Sequence, residues 1–168
     1  MTRRSLIWPA GTTAGLLVPL AILDRRMQAT GGPGIIPFEL AGPPRSKRIL
    51  RAWGAEGRRA ARASLLLDFP YLAAYTTLNV RLTARAAEAL AAGGRGRAAS
   101  AGSAVAAIQI AAGACDAVEN AALLGVVARD GDPRLASLAR GAATAKFAGL
   151  IAGWLYGAAA LAARRHTG

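Results

Sequence analysis

Residues 98–128 read AASAGSAVAAIQIAAGACDAVENAALLGVVA. Within this run the only charged side chains are Asp116 and Glu119. A helix needs about 20 mainly apolar residues to span the hydrocarbon core of a bilayer. The run therefore predicts a membrane-spanning helix, long enough to tilt or to emerge from the lipid, with two acids inside it.

Three further apolar runs flank this one, at residues 6–23, 63–80 and 136–163. The four runs predict an all-α protein, a transmembrane four-helix bundle that forms one membrane domain over residues 1–168. The chain has 43 Ala and 20 Gly, and small residues let helices pack closely in lipid. A disordered chain, a disulfide scaffold and a His-based metal enzyme are excluded, because 54% of the residues are hydrophobic and there is one Cys and one His.

The first run has a second interpretation. Thr2–Ile7 resembles a twin-arginine export signal, but no A-x-A cleavage site follows the apolar run. We expect an uncleaved first helix, with cleavage as the alternative.

The basic residues lie between the apolar runs. There are 19 Arg and two Lys, and the net charge is +12. Such basicity suggests nucleic acid, but arginines between apolar runs are typical of loops beside a membrane. We expect membrane lipid, and not nucleic acid, as the partner. Loops one and three, together with Arg62 and Arg140, hold 12 basic residues against eight on the other side, which favours a multi-pass protein of the bacterial plasma membrane with these loops in the cytoplasm.

The longest loop, residues 24–61, begins with Gly and Pro breakers and ends in a basic helix over Arg45–Arg62. Its apolar face carries Ile49, Leu50 and Trp53. We expect residues 35–62 to form an interfacial amphipathic segment, with Trp53 at headgroup depth. A solvated basic loop is the alternative.

Four charged side chains fall inside the apolar runs: Asp68, Asp116, Glu119 and Lys146. Inserting each charged side chain into lipid costs about 2.5–3.5 kcal/mol, so such side chains face the protein interior or pair with an opposite charge. Counted from the basic residues on the loop-one side, their depths are roughly 9, 20, 15 and 9 Å. We therefore expect three helices to bring these four side chains into one pocket that is shielded from lipid. Glu39 either points into this pocket or is solvated.

Helical spacing places further polar residues beside these charges. Asp68 shares its face with Tyr71, Tyr75 and Asn79, and Asn120 follows Glu119. Pro70 either kinks the second helix beside Asp68 or marks its regular start, with Asp68 as a cap.

Lys146 shares its face with a small-residue ladder on the fourth helix. The ladder consists of Gly149, Gly153 and Gly157, and it predicts a close helix approach or a homodimer.

Three acids facing one lysine leave at least one carboxyl group that needs a proton, water, an arginine or a bound cation. Our first hypothesis is acid-base isomerisation or cyclisation of a lipophilic, isoprenoid-like molecule. The candidate catalytic residues are Asp68, Asp116, Glu119 and Lys146. The candidate substrate-binding residues are Glu39, Trp53, Tyr71, Tyr75, Asn79 and Asn120.

Other functions stay open. They are a proton-coupled transporter or binder of a cationic amphiphile, a non-catalytic scaffold whose charges fix helix register, and metal-assisted diphosphate chemistry at Asp116-x-x-Glu119. We expect no metal and no cofactor.

The motifs Phe38-Glu39-Leu40-Ala41-Gly42, Leu67-Asp68-Phe69 and Asp116-x-x-Glu119-Asn120 together resemble a group of small bacterial four-helix membrane proteins. The resemblance covers about residues 35–156. It implies the four-helix fold and implies no activity.

Overall fold

The computed structural model describes residues 4–165, and these are helical with no strand. The predicted all-α class is confirmed. Thr2 and Arg3 of the export-like stretch lie outside the described residues. In chain order the helices are α1 (Arg4–Ala29), α2 (Ile35–Glu39), α3 (Pro43–Ala92), α4 (Gly96–Ser100), α5 (Gly102–Ala128) and α6 (Pro133–Arg165).

Three segments of the described chain are long and apolar enough to cross a membrane. They are Leu6–Ala29, Gly96–Ala128 and Pro133–Ala163, with mean hydropathies of 1.7, 1.5 and 1.3. The fourth predicted run lies within α3, where Asp68 and Asn79 lower its apolarity. The crossing of the membrane by α3 therefore stays a prediction.

The helix α3 bends sharply at Gly54. This residue has φ 56° and ψ −154°, a region that is essentially restricted to glycine. The Leu50 carbonyl near the break accepts a hydrogen bond from Arg58 Nε at 3.0 Å. The predicted helix over Arg45–Arg62 is confirmed as part of α3, except that Gly54 divides it into two arms.

The short arm of α3 before Gly54 buries its apolar face inside the protein. Trp53 is 1% exposed, its Nε1 donates to the Pro33 carbonyl at 2.8 Å, and its ring lies 4.6 Å from that of Phe38. Ile49 and Leu50 join the same cluster, which α5 and α6 complete. The prediction that this face lies in lipid is wrong, because protein covers it. The headgroup depth of Trp53 stays a prediction. The solvated-loop alternative is wrong for the same reason.

The helix α3 is already regular at Pro70. Inside α3 the only non-helical backbone is at Gly54. Asp68 is therefore an internal residue of the long arm after Gly54. The alternative in which the helix starts at Pro70, with Asp68 as its cap, is wrong.

The helices α3, α5 and α6 pack on one another, whereas α1 packs mainly against α3. Only 6% of the most apolar window of α1 is buried, so most of this helix faces outward. Because α1 makes no extensive contact with α6, a gap remains between these two helices.

The glycine ladder of α6 is used within the chain. A Cβ on Gly149 would meet Ala112, and one on Gly153 would meet Gln109, both on α5, whereas Gly157 has open space. Gln109 Nε2 also donates to the Gly149 carbonyl at 2.7 Å. A homodimer through all three glycines would have to displace α5.

Candidate functional site

Lys146 lies at the centre of a cluster of carboxylates. Its Nζ is 3.1 Å from Glu39 Oε2, 3.2 Å from Asp116 Oδ1 and 2.8 Å from Glu119 Oε2. The three acids come from α2 and α5, and the lysine comes from α6. An ammonium group has three N–H donors, so its donor number matches the three carboxylates.

Two side-chain hydrogen bonds join α3 to this cluster. Tyr75 donates its hydroxyl proton to Asp116 Oδ2 at 2.6 Å, and Asn120 Nδ2 donates to Asp68 Oδ2 at 2.7 Å. Asp116 therefore receives hydrogen bonds from two other helices, whereas Asp68 receives one. Asp68 is half-buried.

Glu119 lies beneath the cluster and not at its surface. Its side chain is fully buried, and Oε1 has no hydrogen-bond partner within residues 4–165. Oε2 makes the ion pair with Lys146 but no hydrogen bond of good geometry. A buried charge of this kind depends on its one partner, because burial removes its hydration.

A cavity of about 670 Å³ opens above the cluster. Its polar wall includes Glu39, Asp68, Asp116 and Lys146. Its larger apolar wall comes from α1 and α6, where it includes Leu17, Leu20, Phe147, Leu150 and Trp154. The volume lies in the range of small-molecule sites, about 300–1,000 Å³.

The cavity lies between α1 and α6, and its lining includes residues of both helices. Leu17 on one side of the gap is 49% exposed, and Trp154 on the other is 63% exposed. Exposed apolar side chains therefore lie beside the cavity on both helices.

The charges of the site do not balance. Four carboxyl groups, those of Asp24, Glu39, Asp68 and Asp116, line the cavity, and that of Glu119 lies behind Lys146, which supplies the one ammonium group of the lining. Within the described residues no arginine lines the cavity. The site therefore offers excess negative potential to whatever enters it.

Most of the predicted site residues line this cavity. Tyr71, Tyr75, Asn79 and Asn120 do so together with Asp68, Asp116, Lys146 and Glu39. Glu39 thus enters the pocket and does not point to solvent. Trp53 is not among the lining residues and belongs to the core, and Glu119 lies behind Lys146, so neither is placed to touch a substrate in the cavity.

Sequence reasoning missed Asp24. Its Oδ1 accepts the backbone N–H of Ile35 at 2.6 Å, and its Oδ2 accepts from Gln28 at 2.5 Å. Only glycine fits at position 34, because a Cβ there would collide with the Asp24 carboxylate. Asp24 thus ties α2, and with it Glu39, to α1, and it also lines the cavity.

No group of three or more His, Cys, Asp or Glu side chains in the described part of the chain has the arrangement of a metal site. The chain matches no protein-family model, no curated protein and no solved structure.

Proposed function

We propose that this chain is a four-span membrane protein, with the long arm of α3 as the fourth span, that binds a lipophilic cation in the cavity between α1 and α6. The observation that carries the proposal is the excess of carboxyl groups on the polar wall of an otherwise apolar cavity. A cationic group there would supply the positive charge that Lys146 alone does not.

The location of the cavity supports a lipophilic ligand. The proposed route is from the bilayer between α1 and α6, because both helices line the cavity and both are long and apolar enough to span a membrane. The Tyr71 and Tyr75 rings, with centroids 5.4 Å apart, lie beside Asp68 and can add cation–π attraction.

The test uses tetraphenylphosphonium, a permanently charged lipophilic cation, with tetraphenylborate as the anion of closely similar shape. We expect the wild-type protein in lipid nanodiscs to bind the cation and not the anion. Equal binding of both ions would contradict the proposal.

Asp68→Asn is the most direct variant, because Asp68 has a single side-chain partner and Asn keeps its shape. We expect it to weaken cation binding about tenfold, equivalent to 1.4 kcal/mol. Glu56→Gln is the matched control, since Glu56 is an exposed acid on α3 and its loss should leave the affinity unchanged.

Acid-base catalysis is the second candidate, and the position of Asp68 favours it. A protonated Asp68 would add its proton to one alkene carbon of an isoprenoid. Asp116 would then remove a proton from a neighbouring carbon, which moves the double bond with no net change in atoms.

Incubation with farnesol in deuterated buffer tests this function. Deuterium incorporation that Asp68→Asn abolishes would support it, and no incorporation would exclude it for this probe.

A further inference from the structure

A second cavity lies next to the first, further along the same helices. Its volume is about 300 Å³, and its lining is mainly apolar. Its walls include Leu82 from α3 and Trp154, Gly157 and Leu161 from α6. Its polar side chains are few, and one of them, Gln109, already donates to the Gly149 carbonyl.

The two cavities are neighbours that share two wall residues. Asn79 and Trp154 line both of them. Lys146 and Leu161 are 15 residues apart on α6, which corresponds to about 22 Å of helix. Residues of α3 and α6 thus line both cavities. The carboxylates lie in the first cavity, and the second cavity is an apolar pocket further along the two helices.

We propose that the second cavity binds the hydrocarbon chain of the cation whose charged group occupies the first, an inference that rests on the proposed function. The ligand class is then a single-chain amphiphile with an amine or quaternary ammonium group. Its chain passes the indole of Trp154 and ends near Leu161. A short or compact cation would fill the first cavity alone.

The structure offers a matched pair of variants for the test. A Cβ at Gly157 meets nothing within 4 Å, and Gly157 lines the second cavity, so Gly157→Leu fills that cavity without a backbone clash. Gly141 lies on the same helix with equally open space but lines neither cavity. Gly141→Leu therefore controls for the effect of an added leucine on α6.

The probes are octyl-, decyl-, dodecyl- and tetradecyltrimethylammonium, measured by displacement of tetraphenylphosphonium from protein in nanodiscs. In the wild type and in Gly141→Leu, each added methylene that enters the second cavity should raise affinity by up to about fourfold. Gly157→Leu should lower tetradecyl affinity at least about tenfold and leave octyl and tetraphenylphosphonium binding unchanged.

The outcomes separate the two proposals. If Gly157→Leu shows the same dependence on chain length as the wild type, the second cavity does not hold the chain, while the cation site stands. If no cation binds to the wild type, the proposed function fails, and the inference about the chain fails with it.

Discussion

At the scale of single residues, Lys146 decides whether the carboxylate cluster is stable. Lys146→Met would leave Glu39, Asp116 and Glu119 without their shared cation. Removing one partner of a buried ion pair costs about 3–5 kcal/mol. We expect a large fall in the unfolding temperature, measured in detergent micelles by the fluorescence of the tryptophans.

The control for this variant removes the stranded charges as well. Lys146→Met combined with Glu39→Gln, Asp116→Asn and Glu119→Gln should regain most of the lost stability, because none of the three carboxylates is then left without its cation. A Lys146→Met protein as stable as the wild type would contradict an ionised cluster. A stable quadruple variant that still binds tetraphenylphosphonium like the wild type would contradict a role of these carboxylates in cation binding and would favour the scaffold hypothesis.

A second prediction concerns Asp130, in the turn between α5 and α6. The hydrogen bond and the charge of Arg58 Nη2, at 2.7 Å, lower the pKa of Asp130 below 3.8. A depressed pKa stabilises the folded state above the ordinary value, and this contribution is lost as the pH falls through the lower one. The effect is small, because Asp130 is exposed and solvent screens the pair.

Asp130→Asn should therefore lower the unfolding temperature slightly at pH 6. The difference from the wild type should shrink as the pH falls below 3.8. Glu56→Gln, another exposed carboxylate-to-amide change, should not reproduce this pattern. A difference that grows in acid would have the wrong sign and would contradict the role given to Arg58.

Spacing along a helix made part of the site predictable. Asp68, Tyr75 and Asn79 recur on one face of α3, and all three line the cavity. Asp24 could not be found in this way, because its partner is the backbone of Ile35 in a different helix. Periodicity specifies which residues share a face, but not which other element meets that face.

At the scale of elements, the break in α3 requires glycine. Gly54 holds a positive φ, and other residues held in such regions cost about 1–3 kcal/mol. Gly54→Ala should destabilise the protein by about that amount in chemical unfolding. Gly141→Ala is the control, since Gly141 lies in a regular helix with open space and should tolerate alanine. Equal effects of the two variants would contradict a strained position at Gly54.

The short arm of α3 shows what an amphipathic pattern can and cannot predict. The apolar face that the sequence indicated, Ile49, Leu50 and Trp53, is the face that is buried. The pattern could not say whether lipid or protein would cover it. Lipid and a protein core are both apolar. Which of them covers this face depends on Phe38 and on the ends of α5 and α6, and these two helices are distant from the short arm in the sequence.

At the scale of the whole molecule, the two basic loops lie at one end. Arg58 pairs with Asp130, and a Cβ on Gly131 would lie within 3.4 Å of Lys47. The loop that joins α3 to α5 is separated from this end by the long arm of α3, about 57 Å for the 38 residues from Ala55 to Ala92. This separation is sufficient for the long arm to cross a bilayer.

Accessibility to a membrane-impermeant maleimide tests both the fourth span and the orientation. In a Cys115→Ala background, single cysteines replace three arginines that are exposed in the structure, Arg45, Arg97 and Arg134. The larger number of basic residues in loops one and three favours the cytoplasm for that end. In intact cells we expect labelling at position 97 only, and labelling at 45 and 134 after permeabilisation.

The reverse labelling pattern would overturn the predicted orientation but would still agree with four spans. Labelling of 45 and 97 from the same side would show that α3 does not cross, and the proposed route from the bilayer between α1 and α6 would then need another explanation.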